Sequence, residues 1–148
     1  NEMNAEDVSN QLSKIGSETI SNCLDLIEIG KAKFVEQDHS KATYAKKINK
    51  EEAKINWNKE ALKIIAQING LYQNPGAWFL FQGERYKILK ATLSDLKGQP
   101  GTVLDSNLTI ACGTKSIKID EIQRQGKNKQ KAAEFLLGSK IKKNLVLS

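Results

Sequence analysis

The half of the chain that follows Pro75-Gly76 consists of short apolar runs separated by turn residues, with no helical pattern between them. The runs cover 77–81, 86–93, 102–104 and 108–112, and apolar positions continue from 117 to 122. The connection at 82–85 contains a glycine and is typical of a hairpin. Short strands at this spacing favour a small barrel over a parallel sheet, which needs helices between its strands. The sequence therefore predicts a mainly β, or α+β, fold.

Two amphipathic patterns precede this β-rich part. Apolar residues recur every three or four positions in 5–15, and the same spacing returns after Ser17. Gly16 and Gly30 are suitable stop signals, so the sequence predicts two short helices. Each helix has an apolar stripe, and nothing in the chain is obviously built to cover it.

Further helical signals lie next to the predicted strands. Asn49, with Glu52 three residues later, predicts a single helical turn. Asn58 is expected to cap a longer helix that flanks the barrel and ends at Gly70. A short terminal helix is expected over 132–138.

Charge is segregated along the chain. Residues 1–38 contain three bases and eight acids, a net charge of −5, whereas residues 39–148 contain 20 bases and nine acids, a net charge of +11. This segregation indicates two structural units and an anionic partner for the second. Basic surfaces bind nucleic acid by releasing counterions from phosphates. A soluble basic domain without a nucleic-acid partner remains the alternative.

The remaining composition excludes several classes of protein. Cys23 and Cys112 are far apart in sequence, and His39 is the single histidine, so neither a zinc site nor a disulfide framework is expected. No apolar run approaches the ~20 residues that span a bilayer, and the first residues lack the features of a secretory signal. We therefore expect a cytoplasmic protein without metal or membrane contacts. A chain that opens with Asn1 inside an amphipathic pattern is expected to be a fragment.

Acidic and histidine side chains offer no convincing catalytic site. His39 follows Asp38, but neighbours in a connector cannot by themselves hold a general base within the ~3 Å that proton transfer requires. The pairs Glu51-Glu52 and Asp120-Glu121 are sequence neighbours whose side chains diverge. The chain also lacks a glycine-rich phosphate loop. We expect that this chain alone catalyses nothing.

Basic side chains are better candidates for a binding site. A glycine-containing loop allows several cationic groups to approach a phosphate backbone. Many surface lysines serve only solubility, and this reading stays open for each residue. The predicted RNA-binding residues are Lys46, Lys47, Lys50, Arg124, Lys127, Lys129 and Lys131.

Three segments near the start of the basic region are 43–47 (TYAKK), 50–53 (KEEA) and 55–57 (INW). They resemble the methionyl-tRNA formyltransferase family, which has Thr-Tyr-Ala-x-Lys, Lys-Glu-Glu-Ala and Ile-Asp-Trp at these places. Weaker matches follow in the same order, among them Pro100-Gly101-Thr102 and Phe135-Leu136. The chain departs from the family pattern at Asn56, Asn69 and Asn128, and the turn before Pro75 also differs.

The resemblance implies an organisation and a function. It implies an OB-like tRNA-binding domain at 49–148, a linker at 34–48, and the last helices of a truncated α/β catalytic domain at 1–33. The family transfers a formyl group from 10-formyltetrahydrofolate to initiator Met-tRNA, and its catalytic Asn, His and Asp lie upstream of the matching region. The implied fragment binds tRNA, holds no cofactor itself, and has the missing N-terminal catalytic domain as its partner.

Two other classes of function remain open. One is a stand-alone RNA-binding module, which has little use for the two helices at the start. The other is an accessory domain of a different folate-dependent formyltransferase.

Overall fold

The computed structural model describes residues 3–148, so Asn1 and Glu2 lie outside the described residues. Within 3–148 there are three α-helices and five strands, together with 3₁₀ turns at His39–Lys41 and Lys50–Ala53. The main elements are α1 Ala5–Glu28, α2 Ala61–Gly70, β1 Ala77–Phe81, β2 Glu84–Ser94, β3 Thr109–Ala111, β4 Ser116–Arg124, β5 Lys129–Lys131 and α3 Ala132–Gly138.

The chain divides into two compact units. One consists of Glu6–Lys47, and the other contains Ile48–Ser148. The first unit holds nearly all of α1, and the second holds α2, α3 and all five strands. The domain assignments 1–33, 34–48 and 49–148 stay predictions.

The two helices predicted at the start form one helix, and that prediction was wrong. Gly16 lies inside α1, where a glycine costs only about 1 kcal/mol relative to alanine. The Ser17 hydroxyl donates to the Lys14 carbonyl at 2.8 Å and therefore does not cap a new helix. The Thr19 hydroxyl likewise donates to the Ile15 carbonyl at 2.8 Å. The hydroxyls bond within one continuous helix, and it passes through the expected break.

The regular strands form one antiparallel sheet in the order β1-β2-β4-β3, with β5 paired to β4. Phe81 pairs with Glu84, which leaves only Gln82 and Gly83 in the turn between β1 and β2. Both turn residues have positive φ, 52° and 78°, as the two-residue turns that match strand twist require. The predicted hairpin is confirmed, and its second strand begins two residues earlier than expected.

The ladder between β2 and β4 contains two bulges. Ile88 pairs with Ile122, but the next pair is Lys90 with Glu121, so Leu89 is an extra residue on β2. On β4 the extra residue is Asp120, between Glu121 and Ile119. The two bulges offset each other, and the original register resumes beyond them.

A closed OB-like barrel is not confirmed, because the strand order is open between β1 and β3. The strand predicted at 102–104 is present only as isolated bridges. Irregular segments nevertheless continue both sheet edges through backbone hydrogen bonds. The Val103 N–H donates to the Leu145 carbonyl at 2.8 Å, and the Leu80 N–H donates to the Ser148 carbonyl at 3.0 Å.

The core lies between the inner face of the sheet and helix α2. Phe79 is fully buried, with its ring centroid 5.8 Å from that of Trp57 and 5.6 Å from that of Tyr86. Ile64 and Ile68 of α2 are also fully buried. Burial of these side chains is the main stabilising contribution to this unit.

The start of α2 differs from the prediction. The helix begins at Ala61, with Glu60 in the capping position and without a side-chain cap. Asn58 does not cap it, and its N–H donates to the Asn56 carboxamide oxygen at 3.0 Å. Gly113 packs against this turn so closely that a Cβ atom would collide with the Asn58 carbonyl oxygen. The chain before α2 is therefore held as an irregular turn against the sheet.

Candidate nucleic-acid interface

The predicted RNA-binding residues lie in both units. Lys46 and Lys47 belong to the Glu6–Lys47 unit, and Lys50 begins the 3₁₀ turn of the other. The remaining four belong to the β4–β5 hairpin, namely Arg124, Lys127, Lys129 and Lys131. The segment that the sequence predicted as a basic loop is therefore partly a strand.

The turn of the β4–β5 hairpin is tight and internally bonded. The Lys127 N–H donates to the Arg124 carbonyl at 3.0 Å, and Gly126 has a φ of +72°. The Gln123 side-chain amide donates to the Lys127 carbonyl at 2.9 Å. Lys127 is exposed at this turn, so its ammonium group is free to meet a partner.

The outer face of the sheet, which we define as the face opposite the core, carries basic side chains on neighbouring strands. Residues paired directly across strands share a face, as do residues two apart on one strand. One row across the strands is Trp78–Lys87–Gln123–Lys129, and the next is Lys90–Glu121–Lys131. Arg85 lies two residues before Lys87 and shares its face. The fold thus brings Lys129 and Lys131 together with three bases of β2.

Arg124 differs from the other predicted residues because its guanidinium group is already engaged. Its Nε lies 2.6 Å from Oε2 of Glu84, and its Nη2 lies 2.7 Å from Oε1. This two-point pair lowers the pKa of the Glu84 carboxyl and raises that of Arg124. The Tyr86 hydroxyl also donates to Glu84, at 3.1 Å. RNA binding by Arg124 stays a prediction, and this pair is the contact that a phosphate has to replace.

A groove of about 650 Å³ lies over Trp78 at one end of the outer face. The Arg85 guanidinium carbon is 3.8 Å from the centroid of the Trp78 ring, a stacking distance. The Trp78 indole N–H donates to the Lys50 carbonyl at 2.9 Å, which ties the 3₁₀ turn to the sheet. The predicted residues Lys50 and Arg124 line this groove together with Arg85 and Lys87, so the fold adds two bases to two predicted residues.

Other side chains weighed for chemistry have structural contacts. The Asp38 carboxylate accepts hydrogen bonds from the Ser40 N–H at 3.0 Å and the Ser40 hydroxyl at 2.6 Å, and it pairs with Lys41 at 3.1 Å. These contacts lower its pKa. In residues 3–148, no three His, Cys, Asp or Glu side chains are grouped as metal ligands would be. Within the same range, no helix has the length and apolar character needed to cross a bilayer.

Comparison with known proteins gives the family. The model of the formyl transferase C-terminal domain family matches residues 47–140. The chain belongs to this family. The methionyl-tRNA formyltransferase of Pelagibacter ubique is 53% identical over 139 residues, which cover 93% of this chain and 45% of that protein. The predicted resemblance to methionyl-tRNA formyltransferases is therefore confirmed, and the chain spans about half the length of the curated relatives it matches.

Solved structures support the fold of this formyl transferase C-terminal domain. A crystal structure of a multiply substituted HypX from Aquifex aeolicus matches with a TM-score of 0.74 and 20% identity, over 97% of this chain and 28% of that one. The HypX crystal structure in complex with tetrahydrofolic acid matches with a TM-score of 0.65 and 21% identity, over 86% and 24% of the two chains. At this identity the likeness shows the fold alone.

The formyl transferase C-terminal domain has three outer-face bases, Arg85, Lys87 and Lys90, that are not among the predicted site residues. Arg85 and Lys87 were assigned to a hairpin connection and a strand, respectively. The available signal was their spacing of two, which places both on one face of a strand. That face could not be identified as the outer one until the pairing of Trp78 with Lys87 was known.

Proposed function

We propose that this chain binds and orients tRNA as the C-terminal part of a methionyl-tRNA formyltransferase. In this proposal, residues upstream of the chain transfer the formyl group from 10-formyltetrahydrofolate to initiator Met-tRNA, and the chain itself holds no folate and catalyses nothing. The 53% sequence identity to the methionyl-tRNA formyltransferase of Pelagibacter ubique supports this proposal. The cytoplasm is the proposed compartment. We also propose that the segments near 101–104 and 144–148 complete an OB-like barrel.

The observation that carries this proposal is the basic outer face of the sheet. Five bases from two non-adjacent strands share it, namely Arg85, Lys87, Lys90, Lys129 and Lys131. Folded RNA is recognised largely through its shape and its phosphate backbone. Phosphate contacts position a nucleic acid without reading its sequence. A basic sheet face next to the exposed Lys127 suits that task.

Orientation is the mechanism that this surface supports. A large substrate held in one pose reacts as if its reacting groups were at high local concentration. Multiple weak phosphate contacts fix the pose of an extended backbone better than one strong contact, because each contact restricts a different part of the substrate. The proposed role of the domain is therefore to position the aminoacyl end of the tRNA.

Substitution of the hairpin lysines tests the proposal. We expect Lys127→Ala, Lys129→Ala and Lys131→Ala in combination to weaken binding of initiator and elongator tRNA to a similar degree. Each lost phosphate contact should reduce the slope of log K against log salt by about 0.7–0.9. Filter binding over a salt series measures both quantities, and circular dichroism reports folding.

A matched control loses the same charge elsewhere. Lys59, Lys63 and Lys97 are exposed and lie outside the hairpin, so their combined replacement by alanine should leave the salt slope nearly unchanged. Equal slopes for the two triple variants would remove the hairpin from the RNA face. Formyl transfer to Met-tRNA by the 148-residue chain alone would contradict the non-catalytic role.

A further inference from the structure

We propose that the groove over Trp78 is a separate phosphate-binding subsite for the RNA backbone, formed by Arg85, Lys87 and Lys50. The inference rests on the proposed function and adds a location and a set of residues to it. The subsite lies on the β1–β2 side of the outer face, whereas Lys129 and Lys131 lie on β5.

The lining of this groove distinguishes it from three other grooves of the same unit. Within the described part of the chain, four bases line it (Lys50, Arg85, Lys87 and Arg124) and no carboxylate does. Three other grooves each contain at least one carboxylate. Those carboxylates are Glu84 and Glu134 in one groove, Glu52 in a second, and Asp120 and Glu121 in a third. Carboxylates therefore offset part of the positive charge in each of those three grooves, whereas only bases supply charge over Trp78.

Arg85 is held ready for a planar, two-point contact. Its guanidinium group stacks on Trp78, which restricts the long side chain and leaves the N–H groups at its edge for a ligand. Glu51 is the one carboxylate paired with it in residues 3–148, at 3.8 Å, and the Glu51 side chain is 78% exposed. That contact is long and solvated, so a phosphate can replace it at little cost.

Lys87 and Lys50 supply charge on either side of Arg85. The Lys87 ammonium donates to the Gln73 carbonyl at 3.0 Å, and no carboxylate of residues 3–148 pairs with it. Lys50 is placed at the rim because its carbonyl accepts the indole N–H of Trp78. The groove volume of about 650 Å³ can admit a phosphodiester group with its flanking sugars.

Arg85 variants of the 148-residue chain test the subsite by filter binding of tRNA over a salt series. We expect Arg85→Ala to weaken binding roughly three- to tenfold at low salt and to reduce the salt slope by about 0.7–0.9. Arg85→Lys keeps the charge, so its slope should stay near that of the unsubstituted chain while its affinity falls between the two. Lys97→Ala is the matched control, because it lies beyond the far end of β2, roughly 30 Å along the strand from Arg85.

A gain of affinity provides a second test that misfolding cannot imitate. Glu51→Gln removes the carboxylate that competes for Arg85, so tRNA binding should become about twofold tighter at low salt. The gain should disappear when Arg85 is already alanine, as a double-mutant cycle detects. Glu60→Gln is the control, since Glu60 pairs with Lys63 and does not line this groove.

The outcomes separate the subsite from the proposed function. Tight binding by the unsubstituted chain, with affinity and slope unchanged in folded Arg85→Ala, overturns the subsite and leaves tRNA binding intact. A gain in Glu51→Gln that persists without Arg85 also overturns it. Absence of tRNA binding by the unsubstituted chain overturns both proposals.

Discussion

Helix α1 and strand β4 carry equally regular apolar patterns but differ in what those patterns bury. None of the side chains of Ala5–Glu28 is buried, and Leu12 is 62% exposed. Strand β4 buries Ile117, Ile119 and Ile122 completely or nearly so. Periodicity therefore determines which element forms, whereas burial depends on whether another element supplies a complementary face.

The largest expected difference between the two units is in the cost of removing an apolar side chain. Phe79→Ala should lower the free energy of unfolding by about 3–5 kcal/mol, because the ring is fully buried between two other aromatic rings. Leu12→Ala should change it by less than about 0.5 kcal/mol. Urea unfolding followed by tryptophan fluorescence reports on the Ile48–Ser148 unit, which contains Trp57 and Trp78, and far-ultraviolet circular dichroism also reports on helix α1. Equal losses would refute the comparison.

The thiols of Cys23 and Cys112, one in each unit, should differ in reactivity by roughly a hundredfold. Burial raises the pKa of Cys112 to about 11, whereas Cys23 is exposed. The thiolate is the reactive form, so at pH 8 a disulfide reagent should modify Cys23 rapidly and Cys112 at least about a hundred times more slowly. The Cys23→Ser variant should retain only the slow phase. Two fast phases in the native protein would mean that the Cys112 site opens readily.

Gly16→Ala should increase stability, whereas Phe79→Ala decreases it, and the change should be smaller. Nothing lies within 4 Å of an added Cβ, and Gly16 is inside α1, so alanine should stabilise the helix by about 0.5–1 kcal/mol. Far-ultraviolet circular dichroism should show that the variant retains more helix during heating than the unsubstituted chain does. Unchanged or reduced helicity would favour the break at Gly16 that the sequence predicted.

The smallest expected effect concerns the Glu84–Arg124 pair and its pH dependence. Arg124 holds the pKa of Glu84 below its usual value, so the pair stabilises the fold above the unfolded-state pKa of about 4.3. That contribution is lost as pH falls through the lowered folded-state pKa. The melting temperature of Glu84→Gln should lie slightly below that of the unsubstituted chain at pH 7 and converge with it in acid.

Asp38→Asn provides the control for this pH series. The pKa of Asp38 is also lowered, but by Ser40 and Lys41 in the Glu6–Lys47 unit. Its replacement should leave melting of the sheet-containing unit unchanged across the same pH range. If the melting temperature of Glu84→Gln lies below that of the unsubstituted chain by the same amount at every pH, the effect is due to packing.

Much of the fold could be predicted because local patterns determine it. The β1–β2 hairpin, the end of α2 at Gly70 and helix α3 follow from apolar spacing, turn residues and glycine. Strand β5 could not be predicted, since Lys129–Lys131 has no apolar residue and is a strand through its pairing with β4. The predicted break at Gly16 was wrong because one glycine does not outweigh the helix propensity of the residues around it.

Prediction of the candidate site was limited by pairing between distant parts of the chain. The hairpin lysines could be selected from charge and a glycine alone. Arg85 and Lys87 required knowledge that Trp78 pairs across from Lys87, and the engagement of Arg124 by Glu84 joins residues 40 positions apart. Single-sequence patterns do not specify such pairings, because they depend on which strands become neighbours.

Each of the two bulges in the β2–β4 ladder shifts the register by one residue, and the two shifts cancel. Lys87 and Lys90 are three apart and would point to opposite faces of a regular strand, but the extra Leu89 lets both face outward. On β4, the extra Asp120 likewise keeps Glu121 on the same face as the outward-facing residues beyond the bulge. Loss of Leu89 alone would place Lys87 and Lys90 two apart, still on one face, but would leave the Asp120 bulge without its counterpart, whereas loss of both extra residues would keep the ladder in register. Evolution of this sheet is therefore expected to gain or lose the two residues together.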